Sequence, residues 1–456
     1  MPASFVCSLS IMSPLSIELP AELLGEIFVF SLPEKASERL DPTNAPMALC
    51  QVCSYWRQAA LSEARLWDTV FFPAGRDSLR FYKHQKFINA GGVQRWFDRT
   101  GPNHLLAFGE DASLDNHASH LQHLLPIVTR YARRLKHVSV ALPRYRYLET
   151  FRRGFPYGIF DNLESVGISC PLEMTPAQLQ AFLQFDTPFN TAPKLKHASL
   201  TLQYANPLKF VLPWAQLSSL EINYPDPSNS LTFGQWRALF EKCTSIQSAI
   251  FVFPIMERGG ESLAALEHQA LNHFRFLVNG NVWSNWEMLY NPVSFPNLRH
   301  VEFDYTDTGF ISPPMLLKAV VRKALSNLQS LTFHSPAHEP HYIPSDVELI
   351  VEQLAEHHKA LPSLTHITLP YRNFRLYDIA LMLLPRPPTA GHPGLTASVR
   401  VVLNGGKEKY NRVLENLPEV ASRYRLAGLT RAPSRDPGDA DLWEDSDEEL
   451  DAILFL

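Results

Sequence analysis

The sequence of 456 residues is poor in the features that mark membrane, secreted and disulfide-rich proteins. It has no uninterrupted apolar stretch near the roughly 18 residues of a membrane-spanning helix, so we expect no membrane segment. Met1 to Pro14 contains no basic region of the kind that begins a signal peptide. The five cysteines are an odd number without framework spacing, which is typical of a reducing compartment. These absences predict a cytoplasmic or nuclear protein.

The familiar catalytic motifs are missing as well. The chain has no glycine-rich phosphate loop, no G-x-S-x-G and no H-E-x-x-H, so we expect neither an enzyme nor a cofactor. Cys50 and Cys53 form a C-x-x-C within a predicted helix, where packing thiols are favoured over a redox or zinc pair because no second pair follows. His117, His120 and His123 drift around a predicted helix, which favours a polar helix face over a metal site. The sequence therefore predicts no metal centre.

Acidic residues are concentrated at the C-terminal end. Residues 436–456 hold nine Asp or Glu and no Lys or Arg, so the formal net charge of −5 becomes +4 for the remainder of the chain. That excess is too small to indicate a nucleic-acid partner. Residues 433–456 are predicted to form a disordered acidic tail. Ser446 precedes three acidic residues, which fits either a kinase site or an unmodified tail serine.

Short apolar segments near the N-terminus predict a helical module. A first helix begins near Pro20 and is stopped by Pro33. Its apolar face consists of Leu23, Leu24, Ile27 and Phe28. A second predicted helix has its apolar face at Leu49, Val52, Cys53 and Trp56. Because short helices bury little surface alone, part of this surface is expected to meet a partner; the alternative is an ordinary helical cap on a larger domain.

These segments resemble an F-box in content, order and spacing. The matching runs are Leu19 to Phe28, Leu49 to Arg57, and Arg65-Leu66-Trp67-Asp68. The resemblance covers residues 16–70 and implies docking on the Skp-type adaptor of a cullin–RING ubiquitin ligase. The adaptor-binding residues that it implies are Leu19, Pro20, Leu23, Leu24, Ile27, Cys53, Trp56, Leu66 and Trp67. The long polar first loop departs from the best-known members and resembles fungal F-box-like variants.

One apolar pattern returns throughout the rest of the chain: an apolar residue, two others, an apolar residue, one other, an apolar residue. Its occurrences start at Leu135, Leu163, Leu195, Leu217, Ile246, Leu271, Leu298, Leu328 and Leu364, which are 22 to 36 residues apart. Leucine-rich repeats run about 20–29 residues with one short strand each. Helices are predicted between the strands, over residues 121–131, 176–185, 233–243, 314–325 and 346–358.

The predicted fold class is therefore α/β. An N-terminal three-helix F-box follows a flexible segment, residues 1–15, and precedes an irregular leucine-rich-repeat solenoid over residues 71–432, with parallel strands on one face and helices on the other. Irregular capping turns are expected at both ends of the array, over residues 71–130 and around residues 399–403. The alternative is an unrelated α/β domain in which the short pattern recurs by chance.

The strands also present polar residues on their outward side. The residues flanking the middle apolar position point away from the core, and the one before it is His or Ser in every strand. The candidate target-binding residues are His137, His197, Glu221, His273, Arg275, His300, Glu302 and His366. Such a face would be sensitive to mildly acidic pH. An ordinary solvated strand face is the alternative interpretation.

The patterns together favour a substrate-recognition adaptor of a Skp–cullin–F-box-type ubiquitin ligase. In this interpretation the F-box docks the Skp-type adaptor and the solenoid binds a protein target. The alternative is a solenoid scaffold that acts without a ligase, and a more distant one is a hydrolase or transferase of unrecognised fold. Neither a nucleic acid nor a membrane is expected as a partner.

Overall fold

The middle and last apolar residues of all nine occurrences of the pattern lie in strands in the computed structural model of the chain. The structure describes residues 19–72, 78–110, 120–142, 145–155, 158–170, 185–203, 206–224, 231–252, 266–278, 293–305, 327–334, 363, 366–370, 400–404 and 451–454. The chain divides into two compact units. Unit 1 is Met1–Glu164 with Ala192–Lys194, and unit 2 is Ser165–Thr191 with Leu195–Leu456.

Unit 1 combines short helices with a small parallel sheet. The described helices are α1 (Ala21–Phe30), α2 (Leu49–Val52), α3 (Ser54–Ser62), α4 (Ser78–Asn89), α5 (Gly92–Asp98), α6 (Leu121–Tyr131) and α7 (Tyr145–Gly154). The strands β1 (Thr69–Phe72), β2 (Leu106–Glu110) and β3 (Leu135–Ala141) pair in parallel in that order. Strand β2 lies within residues 71–130, where the sequence predicts irregular turns, and β1 overlaps the start of that range.

Helix α6 has the bounds that the sequence predicts. Its buried residues recur at three and four and are Leu121, Leu124, Ile127, Val128 and Tyr131. At its C-terminal end the Tyr131 hydroxyl donates to Asp98 Oδ1 over 2.7 Å. Burial and this carboxylate together raise the pKa of Tyr131 to about 12. The contact ties α6 to the end of α5.

Unit 2 is built on parallel strands that follow each other in chain order. They are β4 (Ser165–Cys170), β6 (His197–Leu202), β8 (Ser219–Asn223), β9 (Ser248–Val252), β11 (His273–Val278), β13 (His300–Tyr305), β14 (Ser330–His334), β15 (His366–Pro370) and β16 (Arg400–Asn404). Two minor parallel pairs join β5 (Phe185–Asp186) to β7 (Phe210–Val211) and β10 (Leu266–Glu267) to β12 (Val293–Ser294). Parallel neighbours need a crossover of a dozen or more residues, which the spacing of the apolar pattern supplies.

The inward side chains of these strands form the core of unit 2. Leu220 and Ile222 of β8 are fully buried, and so is Phe274 of β11. The described helix α8 (Phe233–Lys242) agrees with the helix predicted over 233–243 and begins with a capping box between Thr232 and Gln235. Its aromatic residues Trp236 and Phe240 are buried. They pack against the rings of Phe251 on β9, Phe274 on β11 and Phe295 just after β12.

A side-chain amide contact recurs where strands begin. The amide comes from the residue before the first apolar position of the pattern, and it donates to a backbone carbonyl of the preceding repeat. The contacts are Asn162 to Arg133 (2.7 Å) in unit 1, and Gln216 to Leu195 (2.9 Å), Asn297 to Gln269 (2.8 Å) and Asn327 to Pro296 (2.8 Å) in unit 2. These bonds satisfy carbonyls outside the regular strand pairing.

The C-terminal segment differs in part from the disordered tail that the sequence predicts. Residues Asp451–Leu454 form β17, which pairs antiparallel with β16. This stretch is apolar after Asp451, unlike the acidic residues before it, and the outer edge of β16 offers unpaired backbone groups. The rest of residues 433–456 lies outside the described residues, as do the predicted helices 314–325 and 346–358 and helix 176–185, except that Phe185 belongs to β5. No described helix has the length and apolar character to cross a bilayer.

Candidate functional site

Unit 2 aligns its outward His and Ser residues at one position across successive strands. The strand register places Ser165, His197, Ser219, Ser248, His273, His300, Ser330 and His366 side by side from β4 to β15. We call these residues the His/Ser row. His137 belongs to β3 of unit 1, where it stands opposite Ala107 and burial lowers its pKa. The side chain of His366 lies outside the described part of the chain.

A second row, two residues further along each strand, carries charge. Glu221, Ile250, Arg275 and Glu302 are register neighbours on β8, β9, β11 and β13. The Ser199 hydroxyl donates to Glu221 Oε2 over 3.1 Å. This row therefore has a glutamate on β8 and another on β13, with the isoleucine and the arginine on the two strands between them.

Glu302 is the centre of a hydrogen-bonded network on this face. Nε2 of His273 and Nε2 of His334 each lie 2.8 Å from one of its carboxylate oxygens. The hydrogen bonds from His273 and His334 hold the pKa of Glu302 well below its usual range. Arg275 pairs with Asp304 and keeps its Nε 3.9 Å from Glu302. The polar groups of three neighbouring strands thus fix one another in place.

The network also determines the hydrogen positions on His273. Because a carboxylate only accepts, Nε2 carries the hydrogen, and in the neutral ring Nδ1 then accepts from Ser248 Oγ, 3.0 Å away. Hydroxyl, imidazole and carboxylate stand in the order of a nucleophile, a general base and the carboxylate that orients the base. The backbone N–H groups of β9, β11 and β13 are engaged in sheet pairing and do not offer an oxyanion hole.

In unit 1, helix α1 has two apolar faces of different exposure. Leu24 and Phe28, four residues apart, are buried at 2% and 0% exposure. Leu19, Leu23, Ile27 and Phe30 keep 40%, 52%, 49% and 87% of their surface exposed. We call these four residues the apolar stripe. Three of these residues lie on α1 and Leu19 just before it, and such an exposed row of large apolar side chains is typical of a surface that binds another protein.

Contacts at both ends hold α1 on the module. Near its start, the Tyr55 hydroxyl donates to the carbonyl of Leu19 over 2.7 Å. Near its end, the Phe28 ring lies 5.0 Å from the Trp56 ring. Pro20 is the N-cap residue just before the helix and provides no side-chain cap. The inner face of α1 is therefore fixed by α3, while the apolar stripe stays accessible.

The second predicted helix is interrupted, which corrects the sequence prediction. Cys53 is extended, with φ −156° and ψ 175°, and separates α2 from α3. Its Sγ accepts the Trp56 N–H over 3.4 Å, so it caps α3, and Arg57 Nε donates to the carbonyl of Cys50 over 2.7 Å. These two bonds satisfy backbone groups that a continuous helix would have paired.

An ion-pair cluster lies beside the apolar stripe. Arg65 donates to both oxygens of Glu26 on α1, at 2.8 and 3.1 Å, and to both oxygens of Glu63, at 2.8 and 3.0 Å. These hydrogen bonds hold the pKa values of both carboxyls below their usual range. The guanidinium thus connects α1 to the 3-10 turn Ala64–Leu66.

Residues 17–73 match the F-box-like family model. No curated protein matches the chain. Among solved structures, a Bacteroides fragilis protein from a structural genomics consortium shares 11% identity, with 75% of this chain and 81% of that chain covered and a TM-score of 0.31. A TM-score of 0.31 does not indicate a shared fold.

The F-box-like module divides the predicted adaptor-binding residues into exposed and buried ones. Exposed residues are Leu19, Pro20, Leu23, Ile27 and Cys53, and Trp56 is half-buried. Leu24, Leu66 and Trp67 are buried and pack the module. Trp67 donates its indole N–H to the Ala60 carbonyl over 2.7 Å and lies edge-on to Trp96. Surface for a partner therefore comes from the first group.

Three exposed apolar residues of the F-box-like module, Phe30, Val52 and Leu61, are missing from the predicted adaptor-binding residues. Phe30 extends the apolar stripe by three residues beyond Ile27, and Val52 on α2 is 59% exposed. The spacing of Phe30 from Ile27 is a helical i, i+3 step, which could have indicated it. A single continuous helix over α2 and α3 would place Val52 among the packing residues, so the sequence alone does not separate it from them.

The cysteine and histidine patterns show no metal geometry. Within the described ranges, no group of three or more His, Cys, Asp or Glu is placed to hold a metal ion. The sequence predicts that both thiols pack in the interior. Cys50 is half-buried, whereas Cys53 is exposed. His120 is buried at the start of α6, whereas His123 Nε2 contacts the Gln85 amide at 2.9 Å. His117 lies outside the described residues.

Proposed function

We propose that this protein is a substrate-recognition adaptor of a Skp–cullin–F-box-type ubiquitin ligase, acting in the cytoplasm or nucleus. The observation that carries the proposal is the coincidence of the F-box-like match with the exposed apolar stripe of α1. Ubiquitin transfer itself would be performed by other subunits. The chain would supply only two binding surfaces, one for the adaptor and one for the target.

The apolar stripe is suited to the adaptor contact on energetic grounds. Leu23 and Ile27 each keep about half of their surface in water. Covering that half is worth roughly 1 kcal/mol per side chain, and more for the nearly bare Phe30. Aromatic residues at the centre of a patch are the usual hot spots of protein interfaces.

The test uses the full chain and a purified Skp-type adaptor. We expect Leu23→Ala with Ile27→Ala to weaken binding on the order of 30-fold, because both side chains lose the surface that the adaptor would cover. Leu105→Ala is the matched control, since Leu105 is an exposed leucine of unit 1 outside the F-box-like module. Binding that survives deletion of residues 1–70 would contradict the proposal.

For the target side, we propose that unit 2 is an irregular leucine-rich-repeat solenoid. Three observations support this: parallel strands in chain order, apolar patterns 22 to 36 residues apart whose members on strands such as β8 and β11 are buried, and the repeated amide contact where strands begin. Each repeat of such an array buries its apolar face against its neighbours. The outward strand face then remains free for a partner.

The strand-face network is the proposed target surface. Its side chains are already held by Glu302, so a partner would pay little to order them. We expect the triple variant of His273, His300 and Glu302 to Ala to lose co-purified targets while adaptor binding is retained. Glu267→Ala is the control, because Glu267 is exposed in unit 2 but belongs to β10. Unchanged target recovery would assign the row to an ordinary solvated face.

The same experiments separate this function from the ligase-independent scaffold. A scaffold would retain targets through unit 2 and bind no Skp-type adaptor at any concentration tested. The exposed apolar stripe favours the ligase adaptor, because a scaffold has no use for four large apolar side chains in water.

A further inference from the structure

The ion-pair cluster around Arg65 lies at the edge of the apolar stripe. Glu26 is three residues after Leu23 and one before Ile27, so on the helix surface it borders the stripe. Arg65 reaches it from the turn Ala64–Leu66, which lies outside α1. The cluster is therefore a polar contact of α1 beside the proposed adaptor surface.

Gly25 lets the cluster approach the helix closely. A Cβ atom at this position would lie 2.7 Å from Glu63 Oε2, which is closer than real Cβ contacts. Gly25 is buried beneath that carboxylate. Glu63 in turn receives two bonds from Arg65, at 2.8 and 3.0 Å. The backbone of α1, the carboxylate of Glu63 and the guanidinium of Arg65 are thus stacked in contact.

We propose that the Glu26–Arg65–Glu63 cluster is a positioning element that fixes the rotation of α1 about its axis. The inference rests on the proposed adaptor function, because the rotation decides whether Leu23 and Ile27 face the adaptor. The apolar contacts of Leu24 and Phe28 hold only the inner side of the helix. Two-point binding of Glu26 by a planar guanidinium adds a direction that apolar packing lacks.

The positioning role is separable from fold stability. Exposed ion pairs contribute little to stability, and the side chains of Arg65 and Glu26 keep 41% and 56% of their surface exposed. Loss of this pair should therefore change the melting temperature little. It should instead let α1 fluctuate around its axis, which weakens adaptor binding on the order of tenfold.

The experiment compares the full chain with R65Q, E26Q and the charge swap E26R/R65E. In the swap the guanidinium is on α1 and the two carboxylates are on the turn, so the pairing is kept with its direction reversed. Adaptor affinity is measured by calorimetry, and amide exchange of residues 24–30 is followed without adaptor. We expect R65Q and E26Q to bind about tenfold more weakly and to exchange faster in α1, and the swap to restore both.

The outcomes distinguish this role from others. If R65Q keeps wild-type exchange in α1, the positioning role is overturned whatever the adaptor does. If R65Q loses affinity and the swap does not restore it, Arg65 contacts the adaptor directly and the positioning role is again overturned. If the wild-type chain binds no Skp-type adaptor, the proposed function fails, whereas faster exchange in R65Q would still support the effect on α1.

Discussion

The stability of unit 1 should fall on mild acidification because His120 is buried without charge. His120 is 2% exposed and stands at the start of α6. Burial lowers its pKa from 6.5 to about 4, with help from the neighbouring His84 and His123. The N-terminus of a helix also disfavours a cation. Around it lie Phe72 on β1 and Glu110 on β2, whose Oε1 accepts the His120 backbone N–H over 2.9 Å.

The direction of the pH effect on stability follows from proton binding to His120 in the folded and the unfolded chain. Above pH 6.5 neither state protonates His120, so it contributes no pH dependence. Between pH 6.5 and about 4 the unfolded chain binds the proton and the folded chain does not, so unfolding is favoured. The difference of about 2.5 pKa units corresponds to about 3 kcal/mol at full development. That is a large fraction of the stability of an ordinary domain.

The assay is urea unfolding of the wild-type chain and His120→Gln, followed by tryptophan fluorescence from pH 7.5 to 4.5. The difference in unfolding free energy between wild type and variant reports the contribution of His120 alone, because all other titrating groups are common to both proteins. We expect that difference to fall by about 1.4 kcal/mol per pH unit below pH 6.5. A flat difference for His120→Gln would refute the reasoning.

Two further predictions concern packing. Leu24→Ala should reduce the unfolding free energy of unit 1 by about 2–5 kcal/mol, because Leu24 is buried, whereas Leu23→Ala should cost much less; equal losses in urea unfolding would contradict the two-face description of α1. Removing residues 434–456 should change the melting temperature little, because β17 adds four residues at one edge, while amide exchange in β16 becomes faster. A large drop in melting temperature would mean that the tail packs more extensively.

Helix α1 shows how far a single sequence specifies a docking surface. The spacing of its apolar residues predicts the helix, and α1 runs from Ala21 to Phe30 as expected between Pro20 and Pro33. It does not show which of two adjacent apolar faces is buried. That choice depends on Trp56, which packs on Phe28, and α3 is positioned by the extended Cys53. Tertiary contact therefore decides which leucines remain exposed.

The strands of unit 2 were more accessible to prediction than the connections between them. Burial of the apolar pattern follows from alternation alone, since successive side chains of a strand point to opposite faces. The same alternation predicts the outward position of the His/Ser row. Its alignment across strands additionally requires parallel pairing in register, with His273 opposite His300 and His300 opposite Ser330. A slip by one residue would have turned every row inward.

The Glu302 network marks the point where the sequence pattern stops being sufficient. Its members come from β11, β13 and β14. The sequence pattern singles out only the two residues that flank the middle apolar residue of each strand, and in β14 His334 lies two residues after the second of them. Once the repeats are aligned in register, Asp304 and His334 are neighbours, and both can reach the charges of the second row. The partners of Glu302 are thus a property of the register rather than of any one repeat. For the same reason, charged residues at the third outward position of each strand belong in any search for target contacts on this face.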